Sequence, residues 1–250
     1  MSNTEKVAFI TGGNRGIGLE TARGLGKQGI TVVLGVRNPE KGQAALQELR
    51  TEGTKAEVLR FDITKAADYK EAYKFFETNY GKLDILVNNA GISRETMESD
   101  NFQINTASSV SPDVLREVFD TNFFGTVALT QTLLPLIKKS PEGRIVNVSS
   151  ILGSLSLHAS PESPIYEAKV FAYNSSKAAL NAFTIHLAHE LKNTNIKVNS
   201  AHPGWVKTDM GGASAPMEVS EGGKTSIQLA TLPADGPTGG YFHLGEPLPW

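Results

Sequence analysis

The chain of 250 residues carries 24 lysines and arginines against 26 aspartates and glutamates, so its formal charge at pH 7 is −2. Its composition, 40% hydrophobic and 20% charged, is typical of a globular protein and excludes a disordered tail or a fibrous repeat. With no basic cluster, neither nucleic acid nor an anionic membrane is an expected partner. The lack of cysteine excludes disulfides and thiol catalysis, and it favours a cytoplasmic location.

Neither a secretory signal nor a membrane span is predicted. The first residues, MSNTEKVAFITGG, lack a charged start followed by a long apolar run. The longest uncharged runs, Thr121 to Ile137 and Ile145 to Pro161, contain polar residues and fall short of the roughly 20 apolar residues that cross a bilayer. Both runs are expected to lie in a core.

Seven short segments rich in Val and Ile are predicted β-strands, with helical segments between them. The strands are Val7 to Thr11, Thr31 to Val36, Ala56 to Phe61, Leu83 to Asn88, Arg144 to Val148, Ile196 to Ala201 and Gly240 to His243. This alternation predicts a parallel sheet, and the nearly continuous apolar runs indicate helices on both faces. We therefore expect an α/β fold: one Rossmann-type, doubly wound domain over residues 1–250, with seven mainly parallel strands.

Two helices have clear signals in the sequence. Ser111, Pro112 and Asp113 supply an N-cap with proline at the first helical position. A later helix is predicted to place four apolar residues at intervals of four against the sheet: Ala179, Phe183, Leu187 and Leu191.

Three segments are longer than ordinary loops, namely residues 93–111, 151–171 and 204–237. All three follow the carboxyl ends of predicted strands, where open α/β sheets bind ligands. We expect them to form the substrate site. Four of their side chains are candidates for lining an apolar pocket, although core packing explains each equally well: Tyr166, Phe171, Trp205 and Met210.

A glycine-rich turn follows the first predicted strand, where Thr11 begins the motif TGGNRGIG. Its spacing is G-x-x-x-G-x-G, which differs from the commonest dinucleotide fingerprint. Glycine lets the main chain approach a pyrophosphate that faces the helix N-terminus. A merely tight structural turn is the alternative, and the position between strand and helix favours nucleotide binding.

The second predicted strand ends without the acid that NAD-binding folds direct at the ribose 2′-hydroxyl. Arg37 stands there instead, and Arg15 lies inside the glycine-rich turn. A guanidinium can hold the additional 2′-phosphate of NADP, which a carboxylate would repel. This predicts NADP(H) as the cofactor, whereas two exposed surface charges are the alternative.

Tyr173 and Lys177 are four residues apart at the start of a predicted helix, so their side chains share one face. A phenol has an ordinary pKa near 10, and a neighbouring ammonium together with an oxidised nicotinamide can lower it enough for general acid–base catalysis. The alternative is an exposed tyrosine beside a solvated lysine.

Other polar groups accompany this pair. Ser149 and Ser150 end the strand Arg144 to Val148, where a serine can orient a substrate oxygen, although such serines are usually turn or cap residues. Asn122 lies among phenylalanines on a helix predicted to be adjacent. A buried asparagine needs partners, so it either holds a relay water or bonds locally to its own helix.

Seven motifs in order along nearly the whole chain resemble the short-chain dehydrogenase/reductase family. They are TGGNRGIG at 11–18, FDI at 61–63, NNAG at 88–91, TNFFGT containing Asn122, NVSS at 147–150, YNSSK at 173–177 and HPGWVKTD at 202–209. The resemblance implies a catalytic tetrad. In it Tyr173 is the acid–base, Lys177 lowers its pKa and holds the nicotinamide ribose, Ser150 orients the carbonyl, and Asn122 anchors a water.

The same resemblance implies the residues that hold NADP(H), and it places Arg15 and Arg37 in the branch that prefers NADP. Tyr173 and Lys177 also belong to this set. The other implied positions are Gly12, Asn14, Gly16, Ile17 and Gly18 in the turn, Asp62 and Ile63 at the adenine, Asn89, Ala90 and Gly91 at the ribose side, and Pro203, Gly204, Val206 and Thr208 at the nicotinamide and diphosphate.

The chain departs from the simplest family pattern in its spacing. Ser150 and Tyr173 are 23 positions apart, wider than in most members, which resembles monomeric carbonyl reductases and plant ketone reductases. Those relatives use the insertion to shape the substrate mouth and to cover a helix face that otherwise oligomerises. Whether this protein is a monomer or a homo-oligomer stays open.

Three functions are compatible with the sequence. The leading one is NADPH-dependent reduction of a ketone or aldehyde by hydride transfer, with Tyr173 as proton donor. The second is the same chemistry run as alcohol oxidation, and the third is a non-catalytic dinucleotide sensor. No metal site is predicted, because His186 and His189 lack a completed metal-binding motif.

Overall fold

The computed structural model describes residues 5–94 and 106–250. Eight strands form one sheet in the order β3-β2-β1-β4-β5-β6-β7-β8. The strands are β1 (Val7–Thr11), β2 (Thr31–Val36), β3 (Ala56–Arg60), β4 (Ile85–Asn88), β5 (Arg144–Val148), β6 (Lys197–Ala201), β7 (Tyr241–His243) and β8 (Glu246–Pro247). All neighbouring pairs are parallel except β7 and β8.

The predicted α/β fold class is confirmed, and the bounds of the seven predicted strands differ from the observed ones by at most two residues. The eighth strand was not predicted. It is two residues long and includes Pro247, and it returns antiparallel through a turn in which Leu244 and Gly245 have φ angles of 50° and 91°. So short a segment has no recognisable periodicity.

Helices cover both faces of the sheet. They are α1 (Gly16–Gly26), α2 (Pro39–Thr51), α3 (Ala66–Tyr80), α4 (Pro112–Phe119), α5 (Gly125–Ile137), α6 (Leu155–Ala159), α7 (Phe171–Glu190) and α8 (Lys224–Ala230). The N-cap predicted at Ser111 is confirmed, because its hydroxyl accepts the Val114 N–H at 3.2 Å. A π-helical segment, Asp120–Phe124, joins α4 to α5 and was not predicted.

Alternate residues of the strands face two separate apolar cores. Phe9 packs on one side among residues of α3, α5 and α7, including Phe76 and Leu133. Ile10 packs on the other side among residues of α1, α2 and α8, including Leu25. This two-sided burial explains why the strands are continuously apolar.

The order of the sheet reverses at β1, which lies between β2 and β4. Ligands bind in open α/β sheets at such a switch point, at the carboxyl ends of the strands. Of the three long segments predicted there, residues 95–105 of the first lie outside the described residues. The second contains a 3₁₀ turn, Ile151–Gly153, and α6, whereas the third contains the turn Val219–Glu221 and α8. Within the described ranges, no helix has both the length and the apolar character needed for crossing a bilayer.

Candidate active site

The glycine-rich turn after β1 requires glycine at particular positions. Gly12 and Gly16 have φ angles of 65° and 53°, in the left-handed region that glycine favours. A Cβ on Gly18 would lie 2.5 Å from the Gly12 carbonyl oxygen and 2.6 Å from Asn89 Nδ2. Asn89 Nδ2 donates to the Thr11 carbonyl at 2.9 Å, so β4 and the turn are tied together. Backbone conformation at Gly12 and Gly16 and close packing at Gly18 therefore account for the glycines near the start of α1.

The first turn of α1 has no side chain that neutralises its N–H groups. Arg15 is the N-cap residue and makes no capping hydrogen bond, and the first turn contains no acid. Asn14, just before the helix, and Ile17, in its first turn, are half-buried. Uncapped N–H groups and the helix dipole favour an anion at this position.

The two arginines predicted to bind a 2′-phosphate have different surroundings. Arg15 forms an ion pair with Asp209, in the loop after β6. Arg37 is exposed and forms no ion pair among the residues that the structure describes. It lies near Asp62: partial burial alone would raise the pKa of that carboxyl, but bonds from Thr64 and the charges of Arg37 and Lys65 lower it overall. The adjacent Ile63 is buried.

Tyr173, Ser150 and Lys177 come together at the carboxyl edge of β5. The Ser150 side chain hydrogen-bonds to the Tyr173 phenol, and it also accepts the Leu152 N–H at 3.2 Å. Lys177 Nζ lies 5.6 Å from the centre of the Tyr173 ring and donates to the Val148 carbonyl at 2.7 Å. Lys177 is 4% exposed, which excludes the alternative of a solvated lysine.

Burial favours the neutral forms of Tyr173 and Lys177 and shifts their pKa values accordingly. It raises the pKa of the Tyr173 phenol, and the hydrogen bond from Ser150 opposes that shift only in part. It lowers the pKa of Lys177 to about 8, so the ammonium is still largely protonated at neutral pH. The protein surroundings therefore do not by themselves lower the pKa of Tyr173, contrary to the direction expected from the sequence.

The two serines at the end of β5 have separate environments. Ser149 is 2% exposed, and its hydroxyl has no hydrogen-bond partner within the described residues. Its N–H donates to the Ala201 carbonyl at 2.8 Å. Ser150, by contrast, bonds to Tyr173. Geometry thus distinguishes the two members of a doublet that the sequence could not separate securely.

Asn122 lies in the π-helical segment and is 1% exposed. Its Nδ2 donates to the Ile92 carbonyl at 2.9 Å and to Ser176 Oγ at 3.0 Å, and its Oδ1 accepts the Ile92 N–H at 2.8 Å. These bonds reach other segments, so local bonding to its own helix is not the arrangement observed. The neighbouring Gly91 is close to Lys177, because a Cβ there would lie 3.4 Å from Asn122 Oδ1 and 3.5 Å from Lys177 Nζ. Ala90, the residue before Gly91, is fixed to the end of β1, because its N–H donates to Thr11 Oγ1 at 2.9 Å.

The loop after β6 lies over the glycine-rich turn. A Cβ on Gly16 would be 3.4 Å from Thr208 Cγ2. Gly204, which follows the buried Pro203, has a φ of 92°, and Val206 is buried and bridges to Met217. The loop is thereby folded back on itself next to the helix start of α1.

His202 is a residue of this region that sequence reasoning missed. Its buried Nδ1 accepts the Ile151 N–H at 3.2 Å and the Gly204 N–H at 3.4 Å. Burial and the neighbouring His243 lower the pKa of His202 to about 3, so its ring is neutral at ordinary pH. His202 links the residue after Ser150 to the loop after β6. Its place in HPGWVKTD was visible in the sequence, but its partners were not.

A cavity of about 320 Å³ lies beside the first turn of α7. Phe171, a predicted pocket residue, lines it together with Leu152 and Leu155. Asn174, the residue after Tyr173, also lines it, and the N–H of Leu152 donates to Ser150 Oγ at 3.2 Å. The cavity therefore adjoins the serine that bonds to Tyr173. The other three candidates lie elsewhere: Trp205 and Met210 are each 51% exposed, and Tyr166 packs against the Lys169 ammonium at 4.5 Å.

Residues 6–219 match the family model described as short chain dehydrogenase. The chain belongs to the short-chain dehydrogenase family. It is 35% identical over 279 residues to carbonyl reductase (NADPH) 1 of Homo sapiens, covering 96% of this chain and 97% of that protein. It is 30% identical over 308 residues to (+)-neomenthol dehydrogenase of Capsicum annuum, covering 98% of each.

Solved structures agree with this family assignment. The NADPH-bound carbonyl reductase from chicken fatty liver has a TM-score of 0.83 and 28% identity, covering 98% of this chain and 99% of that one. Salutaridine reductase from Papaver somniferum has a TM-score of 0.82 and 29% identity, covering 95% of this chain and 99% of that one. The family resemblance stated from the motifs is thus confirmed.

Proposed function

We propose that this protein is an NADPH-dependent carbonyl reductase that reduces a ketone or aldehyde to the alcohol. The observation that carries the proposal is the hydrogen bond between Ser150 and Tyr173 beside the buried Lys177. Relatives over nearly the full chain length support it, since one is named as an NADPH carbonyl reductase and one solved neighbour is an NADPH-bound carbonyl reductase.

The residues around the switch point suit NADPH. Gly18 has no space for a side chain, and the start of α1 is uncapped, which suits a diphosphate. Arg37 and Arg15 would hold the 2′-phosphate. The remaining contacts are proposed as the family resemblance implies: Asp62 and Ile63 at the adenine, Asn89 to Gly91 at the ribose side, and Pro203, Gly204, Val206 and Thr208 at the nicotinamide end.

When bound, NADPH supplies the hydride that goes to the carbonyl carbon. Tyr173 donates its phenolic proton to the carbonyl oxygen, so hydride and proton together yield the alcohol. Ser150 donates a hydrogen bond that orients the same oxygen. Tyr173 as proton donor and Ser150 as hydrogen-bond donor thus act on the same carbonyl oxygen.

Lys177 stabilises the tyrosinate that remains after proton transfer. Its ammonium lies 5.6 Å from the centre of the Tyr173 ring, and a positive charge at that distance favours the anionic form of the ring. Burial in the protein acts in the opposite direction and raises the pKa of Tyr173. Lys177 also holds the nicotinamide ribose in this proposal, and Asn122 belongs to the proton relay.

Alcohol oxidation by the same groups is the second candidate. The relative named (+)-neomenthol dehydrogenase favours it, and the chemistry is reversible. A sensor without catalysis is disfavoured, because binding alone does not require a phenol, a hydroxyl and a buried ammonium to be gathered at one point. We further propose that residues 1–250 act as one catalytic domain, in which the loops 151–171 and 204–237 shape the substrate mouth.

The proposal is tested with a panel of ketones, aldehydes and quinones, each assayed with NADPH and with NADH by nicotinamide absorbance. Tyr173→Phe should lower kcat by about 10²- to 10⁴-fold, the usual contribution of a general acid, and leave the Kd for NADPH within about twofold. Tyr73→Phe is the matched control, because that tyrosine lies on α3 and bonds to Glu77 of the same helix, and it should change neither. Undiminished turnover by Tyr173→Phe, or no turnover of any carbonyl while NADPH is bound, contradicts the proposal.

A further inference from the structure

We propose that Ser176 is a positioning residue for the reaction, which holds the Asn122 amide against the catalytic helix and thereby keeps Tyr173, Lys177 and Asn122 in register. The inference rests on the proposed function, because it assigns Ser176 to the same chemistry. It concerns a residue inside YNSSK that has no role in the tetrad implied by the family resemblance.

The Ser176 hydroxyl bridges two elements that are far apart in sequence. It accepts a hydrogen bond from Asn122 Nδ2 at 3.0 Å and donates one to the Tyr173 carbonyl at 2.8 Å. Ser176 is 0% exposed, so water cannot substitute at either bond. The π-helical segment and the first turn of α7 are therefore joined through one oxygen atom.

The chain of bonds continues past Asn122 to the end of β4. The Asn122 amide exchanges two bonds with the Ile92 backbone, at 2.9 and 2.8 Å. The adjacent Gly91 faces both Asn122 Oδ1 and Lys177 Nζ, because a Cβ there would lie within 3.5 Å of each atom. A rotation of the Asn122 amide would consequently displace Gly91, the backbone segment next to the Lys177 ammonium.

Ser175 shows that a serine hydroxyl on this helix need not have such a role. Its Oγ donates to the Phe171 carbonyl at 2.6 Å and to the Ala172 carbonyl at 3.2 Å, both within its own helix turn. Serines often make such local bonds in helices. Ser176 differs because it also accepts a bond from another segment, and losing its hydroxyl leaves a buried N–H of Asn122 without a partner.

The test compares Ser176→Ala with Ser175→Ala in the full chain. Ser176→Ala should lower kcat by about tenfold or more, because small displacements of reacting groups are costly in rate. It should also leave the Kd for NADPH within about twofold and move the pH at which kcat/KM falls. Ser175→Ala should change kcat by less than about twofold. The double variant Ser176→Ala/Asn122→Ala should have a kcat no lower than that of Asn122→Ala alone, because both substitutions break the same hydrogen bond.

A crystal structure of Ser176→Ala supplies a readout that does not depend on turnover. We expect the Asn122 amide to be rotated and at least one of its bonds to Ile92 to be lost. An unchanged Asn122, an unchanged kcat, or additive losses in the double variant each overturn the inference. If the wild-type protein reduces no carbonyl, the proposed function fails, and the Asn122 geometry in the variant still decides whether Ser176 positions it.

Discussion

Arg15 of the glycine-rich turn forms an ion pair with Asp209 of the loop after β6, and the two side chains are 68% and 79% exposed. The pair connects two segments almost 200 residues apart in sequence. Arg15 is also one of the two arginines proposed to hold the 2′-phosphate. Asp209 therefore competes with the phosphate for the same guanidinium.

Replacing Asp209 by Asn should tighten NADPH binding. An exposed ion pair contributes about 0.2–1 kcal/mol, so its removal should lower the Kd for NADPH by up to about fivefold. The Kd for NADH should not change, because NADH lacks the 2′-phosphate. Fluorescence titration measures both constants. Glu218→Gln is the control, since Glu218 pairs with Lys207 on the same loop. Weaker NADPH binding by Asp209→Asn would show that the ion pair does not compete.

Arg37→Asp should weaken NADPH binding by about tenfold or more while changing NADH binding little. A hydrogen bond between charged groups contributes about 1.5–3 kcal/mol, and the new carboxylate would also repel the phosphate. The ratio of the two kcat/KM values measures this preference. Lys27→Asp makes the same charge change at the exposed end of α1 and should leave the ratio unaltered. Equal losses with both nucleotides would remove Arg37 from the 2′-phosphate site.

The rate of reduction should fall as the pH rises through about 8. Burial lowers the pKa of Lys177 to about 8, so the ammonium loses its proton above that pH and no longer supplies positive charge to Tyr173. The kcat/KM for NADPH reports groups of the free enzyme and should decline above pH 8 but stay level from pH 6 to 7. A constant or rising value between pH 8 and 10 would show that protonated Lys177 is not required.

The free energy of unfolding should decrease in acid partly through His202. Its pKa of about 3 in the folded protein is below the ordinary value of about 6.5. The unfolded chain thus takes up a proton first as the pH falls, and stability contributed by neutral His202 is lost between pH 6.5 and 3. Between pH 7 and 5 this amounts to about 2 kcal/mol.

Chemical denaturation at the two pH values measures that difference. His202→Asn keeps an acceptor for the Ile151 and Gly204 N–H groups and removes the titrating ring, so its stability should depend less on pH. His189→Asn changes an exposed histidine and should retain the wild-type dependence. A His202→Asn variant that loses as much stability as the wild type in acid would assign the effect to another group.

Much of the fold was predictable because it depends on patterns within a few residues. Continuous apolar runs indicated strands covered on both faces, and Ser111 followed by Pro112 marked a helix start. The π-helical segment was not predictable. It inserts one wider turn into an otherwise helical stretch, and no local preference distinguishes that from an ordinary helix.

The site was predictable in its residue types and less so in their interactions. Tyr173, Lys177 and Ser150 were selected by spacing and motif order, and the structure brings them together. The raised pKa of Tyr173, the full engagement of the Asn122 amide and the ion pair of Arg15 could not be foreseen. Each depends on burial or on a partner from a distant segment.

The sequence by itself determined the α/β sheet and the glycine-rich turn, because backbone preferences and hydrophobic periodicity act over short distances along the chain, and the order of its motifs indicated the functional side chains. Tertiary structure alone decided that Lys177 is buried, that the hydroxyl of Ser149 is enclosed while that of Ser150 bonds to Tyr173, and that Ser176 bonds to Asn122. These pairings depend on the order of the strands and the packing of helices across them, which bring together side chains that the sequence separates by tens of residues.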